Sequence, residues 1–319
     1  MTRQASASFA VDSGSLGKAK SKSVRHARDT TIIWSLIGCG IATLLITGTI
    51  IGVLATETIT FFGMEEVSVV EFFTGTQWNP LLGAEKHYGI WPLICGTVLI
   101  TVIAMAVALP LGTVTAIWLS EYAHPSLRAV IKPILEVLAG IPTVVFGFFA
   151  LTVITPKLLQ AMHEGFDTFN ATSAGIAVGI MCLPIVCSLT EDALRAVPTN
   201  LREAAYGVGA TRFEVALRVV VPAALSGIIA AFLLAIARAV GETMIVALAA
   251  GSVPKMSLDP TSQAQPMTGH MVEMFTGDAS NYGTEYYSSY AVGATLFLMT
   301  LVLTVIGHLV RVRYRQVYE

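Results

Sequence analysis

Apolar residues are concentrated along this chain in six long runs, which polar segments separate. Each run provides about the 20 residues that a helix needs, at about 1.5 Å per residue, to cross a hydrocarbon layer of about 30 Å. The runs are continuous rather than alternating, and in lipid only helices or closed barrels pair all their backbone groups. The pattern therefore predicts an all-α integral membrane protein with six transmembrane helices. The predicted spans cover about 31–54, 92–119, 129–154, 172–190, 222–250 and 289–311.

The composition supports a membrane location. Of the 319 residues, 54% are hydrophobic and 13% are charged, and the mean hydropathy is +0.71. Soluble domains carry about 25% charged residues. The six His are scattered without helical pairing and the four Cys show no metal-ligand spacing, so no metal site is expected.

Lys and Arg are distributed unevenly, which predicts the orientation of the spans. Segments on one side hold fifteen of the 19 cationic residues, whereas the alternate segments hold only Lys86, Lys157 and Lys255. We therefore predict that both termini are cytoplasmic. Residues 1–28, rich in Ser, Ala and Lys, are expected to form a disordered cytoplasmic tail, followed by a transmembrane domain over 29–319. The outer segments are acidic, so they are not expected to collect small anions themselves.

The cytoplasmic segment 191–221, between the fourth and fifth predicted spans, is typical of a short helix–turn–helix. After a Val-Pro break, Thr199 or Asn200 is predicted to cap a helix that carries Glu203 in its first turn. Two glycines end this helix, and Thr211 is predicted to cap the next one. The segment therefore forms a helical projection on the cytoplasmic side.

This projection has two interpretations. An amphipathic connector lying in the membrane interface would carry bulky apolar residues on one face. The predicted helix carries small residues instead, which suit close backbone approach to another protein. We favour a docking surface for a partner and keep the interfacial connector as the alternative. The residues assigned to docking are Glu203, Ala204, Ala205, Gly207, Gly209 and Pro222.

The same segment resembles the EAA loop of permease subunits of bacterial ABC importers. It has Glu203-Ala204-Ala205, three further residues, Gly209, nine residues, and then Val219-Val220-Val221-Pro222, where the family has Ile and Leu at the first and third positions of the last group. The resemblance implies a type I (MetI-like) permease whose loop couples to two cytoplasmic ATPase subunits. ATP and Mg²⁺ would be bound by those partners, since this chain has no G-x-x-x-x-G-K-[ST] phosphate loop.

Arg238 and Glu242 are the only ionised side chains between Pro222 and Gly251. A charge at the bilayer centre costs about 2.5–3.5 kcal/mol, so neither side chain is expected to face lipid. Four residues apart on one helix, they share a face and can pair. The pair can lock helices together, or it can line a substrate path in which the guanidinium receives an oxyanion. We favour the path.

Two further residues are assigned to the path, and several others to packing. Thr243 belongs to the same polar motif, whereas Glu136 can either line the cytoplasmic exit or bond to backbone or a neighbouring Arg. The Gly-Ile-Pro triplet at 140–142 is predicted to loosen the third span or to kink it for packing. The glycine pairs Gly48–Gly52 and Gly175–Gly179 permit close helix contact. Interfacial anchors are predicted at Trp78, Trp91 and Trp118.

The stretch LLAIARAVGETMIVALAAG (233–251) resembles the matching span of phosphate-specific ABC importers, whose two permease subunits carry an Arg-Ala-x-Gly-Glu-Thr motif. Met244 after the motif is typical of the C-type subunit. YGIWPLICGTVLIT (88–101), LSEYA (119–123) and EVLAGIPTVVFGFFAL (136–151) resemble that subunit as well, and the likeness extends over about 88–312.

This resemblance implies a permease that carries inorganic phosphate and performs no catalysis of its own. Its partners would be an A-type permease subunit in a heterodimer, two ATPases and an extracytoplasmic phosphate-binding protein. The location would be the plasma (inner) membrane of a bacterium. The alternatives are a permease for another oxyanion, such as sulfate, molybdate or tungstate, and a channel or secondary transporter that works without ATP.

Overall fold

The computed structural model describes residues 19–80, 86–277 and 283–313, most of which are helical. π-Helical turns continue α5 over Ala150–Leu159 and α9 over Ala216–Val220. The two short strands form an antiparallel pair. In chain order the elements are α1 (Ala19–Phe62), α2 (Val69–Thr74), β1 (Trp78–Asn79), β2 (His87–Tyr88), α3 (Trp91–Glu121), α4 (Pro125–Ala139), α5 (Thr143–Phe149), α6 (Gln160–Met162), α7 (Ala171–Arg195), α8 (Thr199–Gly207), α9 (Arg212–Val215), α10 (Val221–Ala223), α11 (Leu225–Val240), α12 (Met244–Ala249), α13 (Met267–Thr276) and α14 (Thr284–Arg313).

Five of the described helices are long and apolar enough to cross a membrane. A sixth candidate consists of Arg212–Ala223 and Leu225–Val240, which are bent by 71° against each other. The prediction of an all-α membrane protein is thus confirmed, with six spans if the bent pair counts as one. The five single candidates are Thr30–Phe62, Trp91–Glu121, Thr143–Met162, Ala171–Arg195 and Thr284–Val310.

The chain divides into two compact units, Met1–Val53 and Leu54–Glu319. The described part of the first unit is the N-terminal portion of α1, whose apolar side chains are largely exposed. Of the tail predicted to be disordered, residues 1–18 lie outside the described residues. From Ala19 onwards the chain is helical, which corrects the prediction for its last part. Once an apolar span is helical, adding further turns costs little, and the Ala, Lys and Arg of this stretch favour helix.

The third predicted span, 129–154, is two helices. α4 ends at Ala139, and α5 begins at Thr143 after Pro142, which occupies the N-cap position. Proline lacks a backbone N–H and clashes with the preceding turn, so an apolar run that contains it need not be one helix. The membrane-crossing candidate therefore starts at Thr143 rather than at residue 129 and continues to Met162.

α3 and α7 pack closely along much of their length, and α7 supplies much of the main apolar core. Gly175 and Gly179 face α3 here. A Cβ atom at Gly179 would lie 2.8 Å from the carbonyl oxygen of Ala104, and one at Gly175 would lie 2.6 Å from the side chain of Ile103. The prediction of close helix contact is confirmed for this pair, whereas a Cβ at Gly48 or Gly52 would meet no described atom within 4 Å.

An aromatic cluster covers the end of the second unit that the charge pattern places outside. Phe61, Phe72, Trp78 and Tyr88 are each at most 1% exposed and pack edge to face. The prediction of Trp78 as an interfacial anchor is therefore wrong, because this indole is a core residue of the β1–β2 hairpin. The two other predicted anchors, Trp91 and Trp118, are 46% and 41% exposed.

Candidate functional site

The cytoplasmic projection starts at α8. Pro198 holds the N-cap position without a side-chain hydrogen bond, and Thr199 is already the first helical residue. The prediction of Thr199 or Asn200 as the cap is wrong, because the fixed φ of proline sets the entry to the helix one residue earlier. Glu203 then lies beyond the first turn, which contains no acidic residue.

The turn after α8 depends on a glycine and a cap. Gly209 has a φ of +86°, in the left-handed region that side chains with a Cβ rarely adopt. Thr211 caps α9 through a capping box: its Oγ1 accepts from Glu214 N at 3.4 Å, and its own N donates to Glu214 Oε2 at 3.0 Å. The predicted capping role of Thr211 is confirmed.

The residues predicted to dock a partner form an open surface. α8 contains no buried residue, and Glu203, Ala204, Gly207 and Gly209 are all exposed. A Cβ at either glycine would meet no described atom within 4 Å. Ala205 is half-buried and Pro222 is exposed at the bend before α11, while the apolar residues nearby that lie exposed are Tyr206, Val208 and Phe213.

Sequence reasoning missed Arg202, which connects this projection to the membrane helices. Its Nη1 donates to Val197 O at 2.6 Å, and its Nη2 donates to Leu194 O at 2.8 Å. Nη2 also donates to Glu121 Oε1 at 3.2 Å. The two side chains are only 16% and 8% exposed. The acceptors lie far from Arg202 in the chain or are backbone atoms, so no local pattern predicts this contact.

A second ionic cluster joins α4 to the cytoplasmic end of α7. The side chain of Glu191 is fully buried and pairs with Arg128 Nη2 at 2.7 Å and with Lys132 Nζ at 3.3 Å. Lys132 also donates to Asp192 Oδ1 at 2.6 Å, and this hydrogen bond raises the pKa of Lys132. A sequence signal existed: a carboxylate at the end of an apolar run needs a partner, and Arg128 and Lys132 share one helix face.

The fifth predicted span, 222–250, is interrupted where its charges lie. α11 ends at Val240, Gly241 and the next two residues form a break, and α12 starts at Met244. Arg238 and Glu242 are thus not on one continuous helix, and no ion pair joins them among the residues that the structure describes. The expected pairing is wrong because the break rotates Glu242 away from the helical position that pairing requires.

Glu242 instead accepts hydrogen bonds at the helix break. The carboxylate is 7% exposed, and its Oε1 accepts from Ile245 N at 3.3 Å at the start of α12. Thr268 of α13 donates its hydroxyl to Glu242 O at 2.7 Å, and the hydroxyl of Thr243 donates to Gly241 O at 3.3 Å. Polar groups that the interrupted helix would otherwise leave unpaired are satisfied in this way.

Arg238 is exposed on the surface of this chain. Its Nη2 lies 3.9 Å from the Sδ of Met181 on α7. Thr243 is half-buried and Met244 is exposed on the same broken segment. Within 19–80, 86–277 and 283–313 no carboxylate pairs with Arg238, so this cation beside a helix break is available to an anionic ligand.

Glu136 lies on α4. It lines a cavity of about 750 Å³ among α3, α4, α7 and α8, and a second of about 300 Å³ that also includes Leu234, one turn before Arg238 on α11. Arg238 itself is not among the residues that line these two cavities. The charged residues of the larger cavity are Glu121, Arg128, Lys132, Glu136, Arg195 and Arg202.

Membrane helices, a helix break beside an exposed cation and an exposed cytoplasmic projection together define a membrane transport component. The family described as "Binding-protein-dependent transport system inner membrane component" matches residues 108–316. The chain belongs to this family. It is accordingly a multi-pass transport subunit and not an enzyme.

Relatives with longer matches support the resemblance to C-type permeases. The chain is 34% identical over 240 residues to the probable ABC transporter permease protein YqgH of Bacillus subtilis, covering 75% of this chain and 76% of that protein. It is also 34% identical over 260 residues to the phosphate transport system permease protein PstC of Mesorhizobium japonicum, covering 76% and 78%. The predicted resemblance is confirmed.

Solved structures show the same fold at low identity. A bacterial ABC transporter involved in the import of the acidic polysaccharide alginate matches with a TM-score of 0.63 at 15% identity, covering 92% of this chain and 100% of that chain. The inward-facing MetNI methionine ABC transporter matches with a TM-score of 0.52 at 17% identity, covering 72% and 95%. The predicted type I importer architecture is thereby confirmed.

Proposed function

We propose that this chain is the permease subunit of an ATP-driven importer of inorganic phosphate in the plasma (inner) membrane of a bacterium. An extracytoplasmic binding protein would deliver the anion to the outer mouth of the path. The observation that carries the proposal is the exposed α8 projection, since a channel or secondary transporter has no need for an open docking helix of small residues. The phosphate assignment is supported by the relatives named as phosphate permeases.

ATP would act through partners on the cytoplasmic side. Two ATPase subunits, which would hold ATP and Mg²⁺, would receive the α8 helix, one from each membrane subunit. Exposed Ala204 and the open space around Gly207 and Gly209 allow a partner backbone to approach closely. Nucleotide binding would then displace α8 and change the accessibility of the path.

The path would lie between this chain and an A-type permease. Arg238 is exposed in the single chain, so in a heterodimer its guanidinium would face the shared interface and screen the charge of a crossing anion. Guanidinium groups offer paired N–H donors that match a tetrahedral oxyanion. Glu242 and Thr243 would hold the break in shape, and Glu136 would line the cytoplasmic exit.

Reconstitution tests this proposal. The chain is co-expressed with an A-type permease, the ATPase and the binding protein, and the complex is placed in proteoliposomes with ATP inside and labelled phosphate outside together with the binding protein. We expect ATP-dependent phosphate uptake that excess unlabelled phosphate abolishes and excess sulfate leaves intact. Inhibition by sulfate equal to that by phosphate would overturn the phosphate assignment. Uptake without ATP would overturn the importer mechanism.

A further inference from the structure

One side chain of the α8 projection, Arg202, forms polar contacts with two membrane helices. Arg202 contacts Glu121, the last residue of α3, and Leu194 O near the end of α7. It also binds Val197 O in the turn between α7 and α8. One guanidinium therefore meets three acceptors on the two helices and on the turn that leads to α8.

The chemistry of these acceptors favours a guanidinium. The last carbonyls of a helix lack intrahelical partners and carry partial negative charge, so a cation at the end of α7 is stabilised there. Glu121 adds a full negative charge, and Ser120 donates to the same Oε1 atom at 2.8 Å, which fixes the carboxylate. A planar guanidinium reaches several acceptors in fixed directions, whereas an ammonium group is a compact point charge on a flexible stem.

The two helices that Arg202 joins lead towards the candidate path. α7 runs without interruption from Ala171 to Arg195, and it packs against α3 through Gly175 and Gly179. Met181, about 20 Å from Leu194 along the helix axis at about 1.5 Å per residue, touches Arg238. A displacement of the cytoplasmic end of α7 can therefore be transmitted along this helix to Arg238 in the candidate path.

We propose that Arg202 is a positioning residue that transmits movement of α8 to the cytoplasmic ends of α3 and α7. The proposal rests on the proposed function, because it assumes that a partner moves α8. Apolar contacts of Leu201 and Ala205 with the cluster around Leu194 hold α8 in place without Arg202. Removal of the guanidinium is therefore expected to loosen the transmission and to leave α8 folded.

The test uses the full reconstituted complex with Arg202→Ala and Arg202→Lys. Arg218→Ala serves as the matched control, because its side chain is 79% exposed and its Glu214 contact is a surface pair of little energy. The measurements are ATPase retained on purification, ATP hydrolysis, and phosphate taken up per ATP hydrolysed. For Arg202→Ala we expect retained ATPase and hydrolysis but a drop of about tenfold in phosphate per ATP, within the usual range of coupling between sites. Arg202→Lys should recover part of the loss.

Two results would overturn the proposal. Phosphate per ATP at the wild-type value in Arg202→Ala would show that transmission does not need this residue. Loss of the ATPase from the purified complex would show that Arg202 only maintains the docking surface. Failure of the wild-type complex to take up phosphate would instead overturn the proposed function. Uptake by the Arg202 variants is then measured with the oxyanion that the wild-type complex does carry.

A spectroscopic measurement keeps the proposal testable if a variant transports poorly for other reasons. Spin labels are placed at Val208→Cys and Tyr122→Cys, both exposed positions, in a chain whose four native cysteines are replaced by serine. We expect Arg202→Ala to broaden the distance distribution between the labels, whereas Arg218→Ala leaves it narrow. An unchanged distribution in Arg202→Ala would contradict a fastening role.

Discussion

The two ends of the Leu54–Glu319 unit are held together in different ways. At the cytoplasmic end, the buried Glu191 pairs with cations of α4, and Arg202 reaches Glu121 and helix carbonyls. Glu191 and Arg202 each have more than one partner. One contact can therefore be exchanged for another without leaving a charge uncompensated.

The opposite end is held by packed rings. Trp78 lies 6.0 Å from Tyr88 and 4.9 Å from His270 between ring centroids, and Phe61 lies 5.4 Å from Tyr88. The ion pairs of this end join Lys86 to Glu66 and Glu285 and His87 to Glu71, and they lie at the partly exposed surface. Interlocked rings cannot exchange partners without opening a cavity.

This difference indicates where the molecule can move. An end fastened by shared hydrogen bonds can be repositioned by a partner at low cost, whereas an end fastened by ring packing is rigid. We expect the cytoplasmic projection to be displaced during transport while the outer cap keeps its shape. The following predictions test both halves of this comparison, from the largest effect to the smallest.

The outer cap should depend most on Trp78. Trp78→Ala removes a buried aromatic side chain and is expected to lower the free energy of unfolding by about 3–5 kcal/mol. Trp78→Phe is the matched variant: the indole N–H has no hydrogen-bond partner among the described residues, so keeping a ring should recover most of the loss. Thermal unfolding in detergent measures both, and equal costs for the two variants would show that ring packing is not what fastens this end.

Glu191→Gln should be the most damaging change at the cytoplasmic end. It leaves Arg128 and Lys132 without their buried carboxylate, and removal of one partner of a buried pair costs about 3 kcal/mol or more. Asp192→Asn is the control, because that side chain is 55% exposed and its surface pair contributes about 1 kcal/mol or less. Denaturant titration measures the loss in free energy of unfolding for both variants. A larger loss for Asp192→Asn than for Glu191→Gln would contradict the role assigned to the buried carboxylate.

The docking surface should be sensitive at Gly209 and tolerant at Gly207. An alanine in the left-handed conformation costs about 1–2 kcal/mol, so Gly209→Ala should weaken ATPase binding by about tenfold. Gly207 is helical, and both positions have open space for a methyl group. The measurement is the affinity of each purified variant for the ATPase subunit. Equal affinities for the two variants would show that the left-handed backbone at Gly209 does not determine ATPase binding.

Acid should destabilise the outer cap through His270. Burial lowers the pKa of this imidazole to about 3, so it stays neutral in the folded state, whereas the unfolded chain takes up a proton below about 6.5. This contribution to stability is complete about one pH unit above 6.5 and falls as the pH drops towards 3, by about 1.4 kcal/mol at pH 5.5. Thermal unfolding against pH should show this slope, and His270→Gln should remove it; an unchanged slope in the variant would assign it to other groups.

Features set by local sequence patterns could be predicted, whereas contacts between residues distant in the chain could not. Four of the six apolar runs, the capping by Thr211 and the small-residue helix are local patterns, and they appear in the structure as expected. Arg202 and Glu121 are 81 residues apart, so their contact depends on the packing of α3 against α7. The contacts of Glu191 with the cations of α4 likewise depend on how the helices pack against each other.

The break beside Arg238 was missed for a different reason. Hydropathy averages over a window, and a run of apolar residues conceals two residues of low helix propensity, Gly241 and Thr243, on either side of Glu242. The spacing of Arg238 and Glu242 suggests pairing only on a continuous helix. Attention to Gly241 followed by two polar residues would have indicated the interruption.

The most direct test of the account concerns Arg238. Phosphate uptake is measured in the reconstituted complex for Arg238→Leu and for Leu234→Ala, an exposed position one turn earlier on the same helix. We expect Arg238→Leu to abolish uptake while the complex still assembles, and Leu234→Ala to transport at close to the wild-type rate. Phosphate uptake by Arg238→Leu at the wild-type rate would contradict the assignment of this guanidinium to the path.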